Sequence, residues 1–90
     1  MSIMNKEERD VKAIVDGVEG FKNTTVNFNK EKKICDIYTK CLLPEDQFTE
    51  TMKKLKKVTV VKCDFGIFEM IFPEKDLNKT LEKFTELFNK

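Results

Sequence analysis

Cys35, Cys41 and Cys63 are the only thiols in this chain, and it contains no His. Without imidazole the commonest general base is missing, and with it the usual Ser–His and Cys–His nucleophile systems. A zinc ion would have to be held by Cys and carboxylates alone. Cys35 and Cys41 fall on the same side of one extended stretch, about 20 Å apart, too far to share an ion. Three thiols without CxxC spacing are a weak ligand set. Each sits in an apolar, strand-like run, so all three read as small buried hydrophobes in a reducing compartment.

The carboxylates offer no better case. Glu7–Glu8 and Glu45–Asp46 stand at expected helix starts, where acids offset the helix dipole. Asp64-Phe65-Gly66 spells a kinase metal-binding motif, but the chain lacks a Gly-rich loop, a catalytic loop and room for two lobes. The tripeptide reads as a tight turn. Three separated glycines cannot build a phosphate loop or a dinucleotide fingerprint. The expectation is a non-enzymatic protein with no metal and no cofactor.

The sharpest charged feature is Lys53, Lys54, Lys56 and Lys57, with Lys62 just beyond. These lysines could contact phosphates, with Lys30, Lys32 and Lys33 adding to them and Tyr38 stacking a base. The competing reading is a solvated helix end whose lysines meet the last carbonyls. Arg9 is the only Arg, so bidentate phosphate recognition could rest on it alone. The net charge of +1 gives no general attraction to nucleic acid or to an anionic membrane.

These residues need a scaffold, and ninety residues make one domain, 1–90. Hydrophobic residues make up 40% of the chain and include eight Phe, enough to exclude global disorder. No apolar run approaches the roughly 20 residues of a membrane helix. The opening MSIMNKEERD is too polar and acidic for a signal peptide, so a cytoplasmic protein is expected.

The elements follow from periodicity. Val11, Ile14, Val15 and Val18 predict a helix over 5–17. Thr24, Val26 and Phe28 alternate with polar neighbours as a strand does, and residues 34–43 form a second strand across a polar NKEKK break. Residues 44–57 read as a helix opened by Pro44, with Phe48, Met52 and Leu55 as its buried stripe. Strands over 58–63 and 67–72 flank Asp64-Phe65-Gly66. A last helix carries Leu77, Leu81, Phe84 and Phe88.

At an offset of 29, Pro44, Glu45, Thr51 and Lys54 meet Pro73, Glu74, Thr80 and Lys83. The chain then reads as two ββα units, 21–57 and 58–90, after the first helix. The fold class is α+β, with one four-stranded, mainly antiparallel sheet and helices packed on it. Two strand orders are open: the second and third strands as parallel neighbours, or the first and third as antiparallel ones.

If the helices cover the face bearing Cys41, Leu43, Met70 and Phe72, the other face carries Ile34, Tyr38, Leu42, Val60, Ile67 and Ile71. A half-solvated sheet would alternate more cleanly. Either the first helix covers this face, or the face is a binding surface, with a second copy of the chain as its simplest occupant. The expected function is therefore a non-enzymatic protein-interaction domain or adaptor, whose partner is another protein or, in a homodimer, a second copy. The alternative is a weak nucleic-acid binder using Lys53, Lys54, Lys56, Lys57 and Lys62.

Overall fold

The computed structural model describes residues 4–89. Its elements are α1 (Lys6–Asp16), β1 (Phe21–Asn29), β2 (Ile34–Cys41), α2 (Glu45–Met52), β3 (Thr59–Lys62), β4 (Ile67–Pro73) and α3 (Leu77–Phe88). The fold is α+β. The four strands form one sheet in the order β1-β2-β4-β3, and every neighbouring pair is antiparallel. This order is neither of the two left open by the sequence, although the sheet is antiparallel as expected. β2 and β4 pair at the centre because each is the second strand of its hairpin and the more apolar of the two. The less apolar β1 and β3 are left at the edges.

Cys35, Ile37, Thr39 and Cys41 of β2 and Phe68, Met70 and Phe72 of β4 are buried on one face. All three helices pack there. Phe48 and Met52 of α2, Leu81 and Phe84 of α3, and Val11 and Val15 of α1 join these strand residues in a single core. Aromatic rings fill its centre, with centroids 4.5 Å apart for Phe48–Phe68 and 5.3 Å for Phe21–Phe84. The first helix therefore does not cover the opposite face, because its valines join the same core as the other two helices.

α1 reaches that position through hydrogen bonds as well as packing. A capping box opens it: Asn5 accepts from the Glu8 N–H, and Glu8 accepts from the Asn5 N–H. The other Glu8 oxygen accepts from the Phe28 N–H at 2.8 Å. Two turns on, Asp16 accepts from the Thr24 N–H at 3.2 Å and from the Thr24 hydroxyl. Eight residues of helix rise about 12 Å, and four residues of strand span about 13 Å. Glu8 and Asp16 thus match Phe28 and Thr24 along the outer edge of the sheet.

A bulge between Lys22 and Thr25 makes this fit possible. Asn23 takes a positive φ of 56° there, a conformation Asn tolerates better than most residues. The extra residue lets Phe21 and Thr24, three apart, both face the core. The buried Thr39 hydroxyl then lies 3.0 Å from that of Thr24.

The largest shift from an expected boundary is at the end of α2. α2 stops at Met52 and the chain continues through turns to residue 57, so of the four lysines only Lys53, the C-cap, sits on the helix end. Leu55 is buried all the same, from the turn. α2 begins one residue after Pro44 but α3 begins four residues after Pro73, so the two helices are not in phase.

Burial alone would raise the Asp16 carboxyl pKa, but hydrogen bonds from Lys12 and Thr24 outweigh it and hold the group below its ordinary value of 3.8. Its stabilising effect is complete above that value and is lost as pH falls through the lower folded one. Asp16→Ala is expected to cost about 1.5–3 kcal/mol at neutral pH. In urea titrations the gap between variant and parent should close in strong acid.

A candidate interaction surface

Alternation along each strand sends the remaining side chains to the side without helices. On β2 these are Ile34, Asp36, Tyr38 and Lys40, and on β4 they are Ile67, Glu69, Ile71 and Pro73, joined pairwise by the β2–β4 register. Ile34, Ile67 and Ile71 are half-buried by their neighbours, whereas Tyr38 is 39% exposed and Leu42, just past β2, is 58% exposed. Five of the six expected residues therefore belong to this side.

Val60 does not. It pairs with Met70 and turns toward the helices. Its neighbour Val61 pairs with Glu69 and stands 42% exposed on the open side. Two adjacent valines gave no alternation from which to choose, and only the register with β4 decides between them.

Phe65 is a further apolar residue that periodicity could not reveal. It is 89% exposed at the tip of the β3–β4 hairpin. Phe65 and Gly66 have φ of 62° and 75°, and the Ile67 N–H donates to the Asp64 carbonyl at 3.2 Å. This is a type I′ turn, whose twist suits a hairpin but whose first central position normally goes to Asn, Asp or Gly. Cys63 lies beside the turn and is only half-buried, unlike Cys35 and Cys41. Burial, with the carboxylates of Asp36, Glu8 and Glu74 nearby, pushes the Cys35 thiol up to about 12. Burial also raises Cys41. Neither thiol is poised for nucleophilic work at neutral pH.

The apolar side chains surround a small polar centre. The Tyr38 hydroxyl donates to Glu69 at 3.1 Å. Asp36 sits diagonally from Glu69, and its Oδ1 is shielded from solvent without a hydrogen-bond partner. Desolvation, then the neighbouring Glu69, raises the Asp36 pKa above the usual carboxylate range.

The lysines line two places, with Lys56 common to both. Lys53 pairs with Glu50 at 3.4 Å and Lys62 with Glu45 at 2.8 Å. Lys53, Lys56 and Lys62 line a groove of about 400 Å³ between α2 and β3. Lys54, Lys56 and Lys57 instead meet Lys79 and Lys83 of α3 around a cleft of about 500 Å³. The α3 lysines were not expected there, because the cleft forms only once the turn after α2 folds against α3. Among the described residues no three His, Cys, Asp or Glu side chains converge on a metal-sized space, and no helix is long and apolar enough to cross a membrane.

A four-stranded antiparallel sheet with all its helices on one side defines an open-faced α+β domain. Comparison with family models, curated proteins and solved structures finds no match for this chain.

Two substitutions probe the surface. An L-residue in the left-handed region costs roughly 1–2 kcal/mol, and Phe65 offsets little of this by burial within its own chain. Phe65→Gly should therefore raise thermal stability in dilute protein, where association is negligible. Asp36 has the reverse sign from Asp16. Its charged form costs nothing below the ordinary value of 3.8 and weighs increasingly as pH rises through the higher folded one. Asp36→Asn should stabilise the dilute chain at neutral pH, with the gain vanishing in strong acid.

Proposed function

We propose that this chain is a non-catalytic protein-interaction domain whose open sheet face is the docking surface. One observation carries the reading: with three helices on one side, the other presents exposed Tyr38, Leu42 and Val61, with Phe65 at one end. Removing a Leu or Phe side chain from water contributes roughly 1.5–3 kcal/mol. Covering this face therefore supplies a driving force for association, which the folded chain leaves unused. Free thiols at Cys35, Cys41 and Cys63 fit a reducing cytoplasm.

Ile71 lies centrally on the open face, between Asp36 of β2 and Thr59 of β3. Ile71→Asp should leave the far-ultraviolet circular dichroism unchanged. It should abolish the binding of any protein captured specifically by the parent chain, a second copy included. Capture that survives both Ile71→Asp and Ile67→Asp would refute the assignment.

A second reading rests on the cleft shared by Lys54, Lys56, Lys57, Lys79 and Lys83. Five ammonium groups against the single carboxylate of Asp76 around one cleft favour a polyanion such as a nucleic acid. Lys79→Glu with Lys83→Glu should then remove retention on heparin at physiological salt, while Ile71→Asp should not. No retention of the parent chain would dispose of this reading.

A further inference from the structure

We infer that the occupant of the open face is a second copy of this chain, related by a two-fold axis running across the strands through the row Thr25–Tyr38–Glu69–Val61, so that Lys40 of each copy meets Asp36 of the other. The inference rests on the reading of this face as a docking surface. The row itself is given by the strand register: Thr25 faces Tyr38, Tyr38 faces Glu69, and Glu69 faces Val61.

Asp36 and Lys40 lie two residues to either side of Tyr38, about 13 Å apart along β2 and beyond each other's reach. Both are half-buried. Among the described residues Lys40 makes no ion pair, and Asp36 Oδ1 has no hydrogen bond. Lys32 offsets the Asp36 charge only in part, since desolvation and Glu69 outweigh it, and half-buried charges so poorly compensated are costly in a folded chain. They sit symmetrically about one residue, so a two-fold rotation about the Tyr38 row exchanges their positions. Each charge is then carried over its opposite, across the roughly 10 Å that separates facing sheets.

The same rotation acts on the apolar residues. Leu42 falls over Ile34 of the second copy and Ile67 over its Ile71. The hairpin tip bearing Phe65 falls over Pro73 at the far end. A two-fold interface requires this kind of self-complementarity. Other placements lose it. Shifting the axis by half a pleat sets Lys40 over Ile34 or over Tyr38. An axis parallel to the strands sets Lys40 over Ile67 and Asp36 over Ile71. The roughly 30° crossing of packed sheets leaves the Tyr38-row pairing in place near the axis. One like-charge contact remains, because Glu69 meets its own counterpart. The Tyr38 hydroxyl already donates to Glu69, and Lys40 of both copies lies in the adjoining rows.

Sedimentation equilibrium of the full chain from micromolar to millimolar concentration should show a monomer–dimer equilibrium. Lys40→Asp creates two like-charge contacts and should weaken the dimer by about a hundredfold, at about tenfold each. Asp36→Lys should do the same. The double variant Asp36→Lys/Lys40→Asp should return to within about tenfold of the parent, and Glu69→Gln should tighten the dimer. Lys40→Glu is a second test should Asp at that position disturb the strand. A chain that stays monomeric at millimolar concentration overturns the inference. So does a dimer indifferent to Lys40→Asp and Lys40→Glu, or a double variant no better than the singles. If the monomeric chain captures another protein and loses it on Ile71→Asp, the docking surface stands and only the second copy falls.

Discussion

The ladder between β2 and β4, from Ile34–Pro73 to Lys40–Ile67, decides nearly everything else about this molecule. It places both second strands at the centre of the sheet. It also aligns Cys35, Ile37, Thr39 and Cys41 with Phe72, Met70 and Phe68 on one side. A slip of one residue would send this set into solvent and draw Asp36, Lys40 and Glu69 into the core. The chain following each hairpin returns over the buried face because the stripes of α2 and α3 have apolar partners only there. α1 could have gone to either side by its own pattern. Glu8 and Asp16 settle the matter by accepting from N–H groups of β1, so the first helix lies against an edge and a core already occupied by the other two. One side of the sheet receives three helices and the other receives none.

Elements with strong periodicity were readable from the sequence. Alternation in β2 and β4, the stripes of α1 and α3, and the Asp64-Phe65-Gly66 turn all signal structure through neighbours close in the chain. What escaped depends on distant residues. The strand order is a choice between pairings of similar local quality. Val60 and Val61 are chemically alike, and only Met70 and Glu69 opposite them tell one from the other. The lysines after α2 looked like the end of a longer helix because Leu55 continues its stripe, yet Leu55 reaches the core from a turn. Lys79 and Lys83 join Lys54, Lys56 and Lys57 only because that turn folds against α3. The open face was legible in outline for the same reason as the strands. Alternation also places Asp36, Lys40 and Glu69 on that face, and wrongly Lys62, which pairs with Phe68 and reaches Glu45 of α2. The Tyr38–Glu69 contact escaped because the two residues are far apart in the chain and meet only through the ladder.

Burial governs the two core thiols and the perturbed carboxyl of the open face. Cys35 and Cys41 are held protonated by burial within the core. The most perturbed carboxyl of the open face, Asp36, has its pKa raised by loss of solvent and by Glu69, and it has no nucleophile to serve. An apolar residue at position 36 would give the isolated chain a quieter surface. Retaining a charge there, with Lys40 four residues away, is easier to understand if the groups are satisfied when the face is covered. Phe65 fits the same view. Its backbone strain and its exposure both penalise the lone chain, and both concern a side chain placed at the rim of the open side. Such local costs are tolerated where function draws on them.

Sheets recruit partners by two routes, through an edge or through a face. Here the edges are poorly suited. Along β1, the Thr24 and Phe28 N–H groups, which would greet an incoming strand, are already bonded to Asp16 and Glu8 of α1. β3 is only four residues long and ends in Lys62, which leans toward Glu45 of α2. Short strands and edge lysines are common devices against strand addition. With one edge occupied and the other abbreviated, the apolar surface left to the molecule lies chiefly on the face. A face offers side chains rather than a backbone ladder, so its selectivity has to come from the arrangement of those side chains. On the proposed reading of this face as a docking surface, Asp36, Tyr38, Lys40 and Glu69 are the groups that would tell one partner, or one orientation, from another.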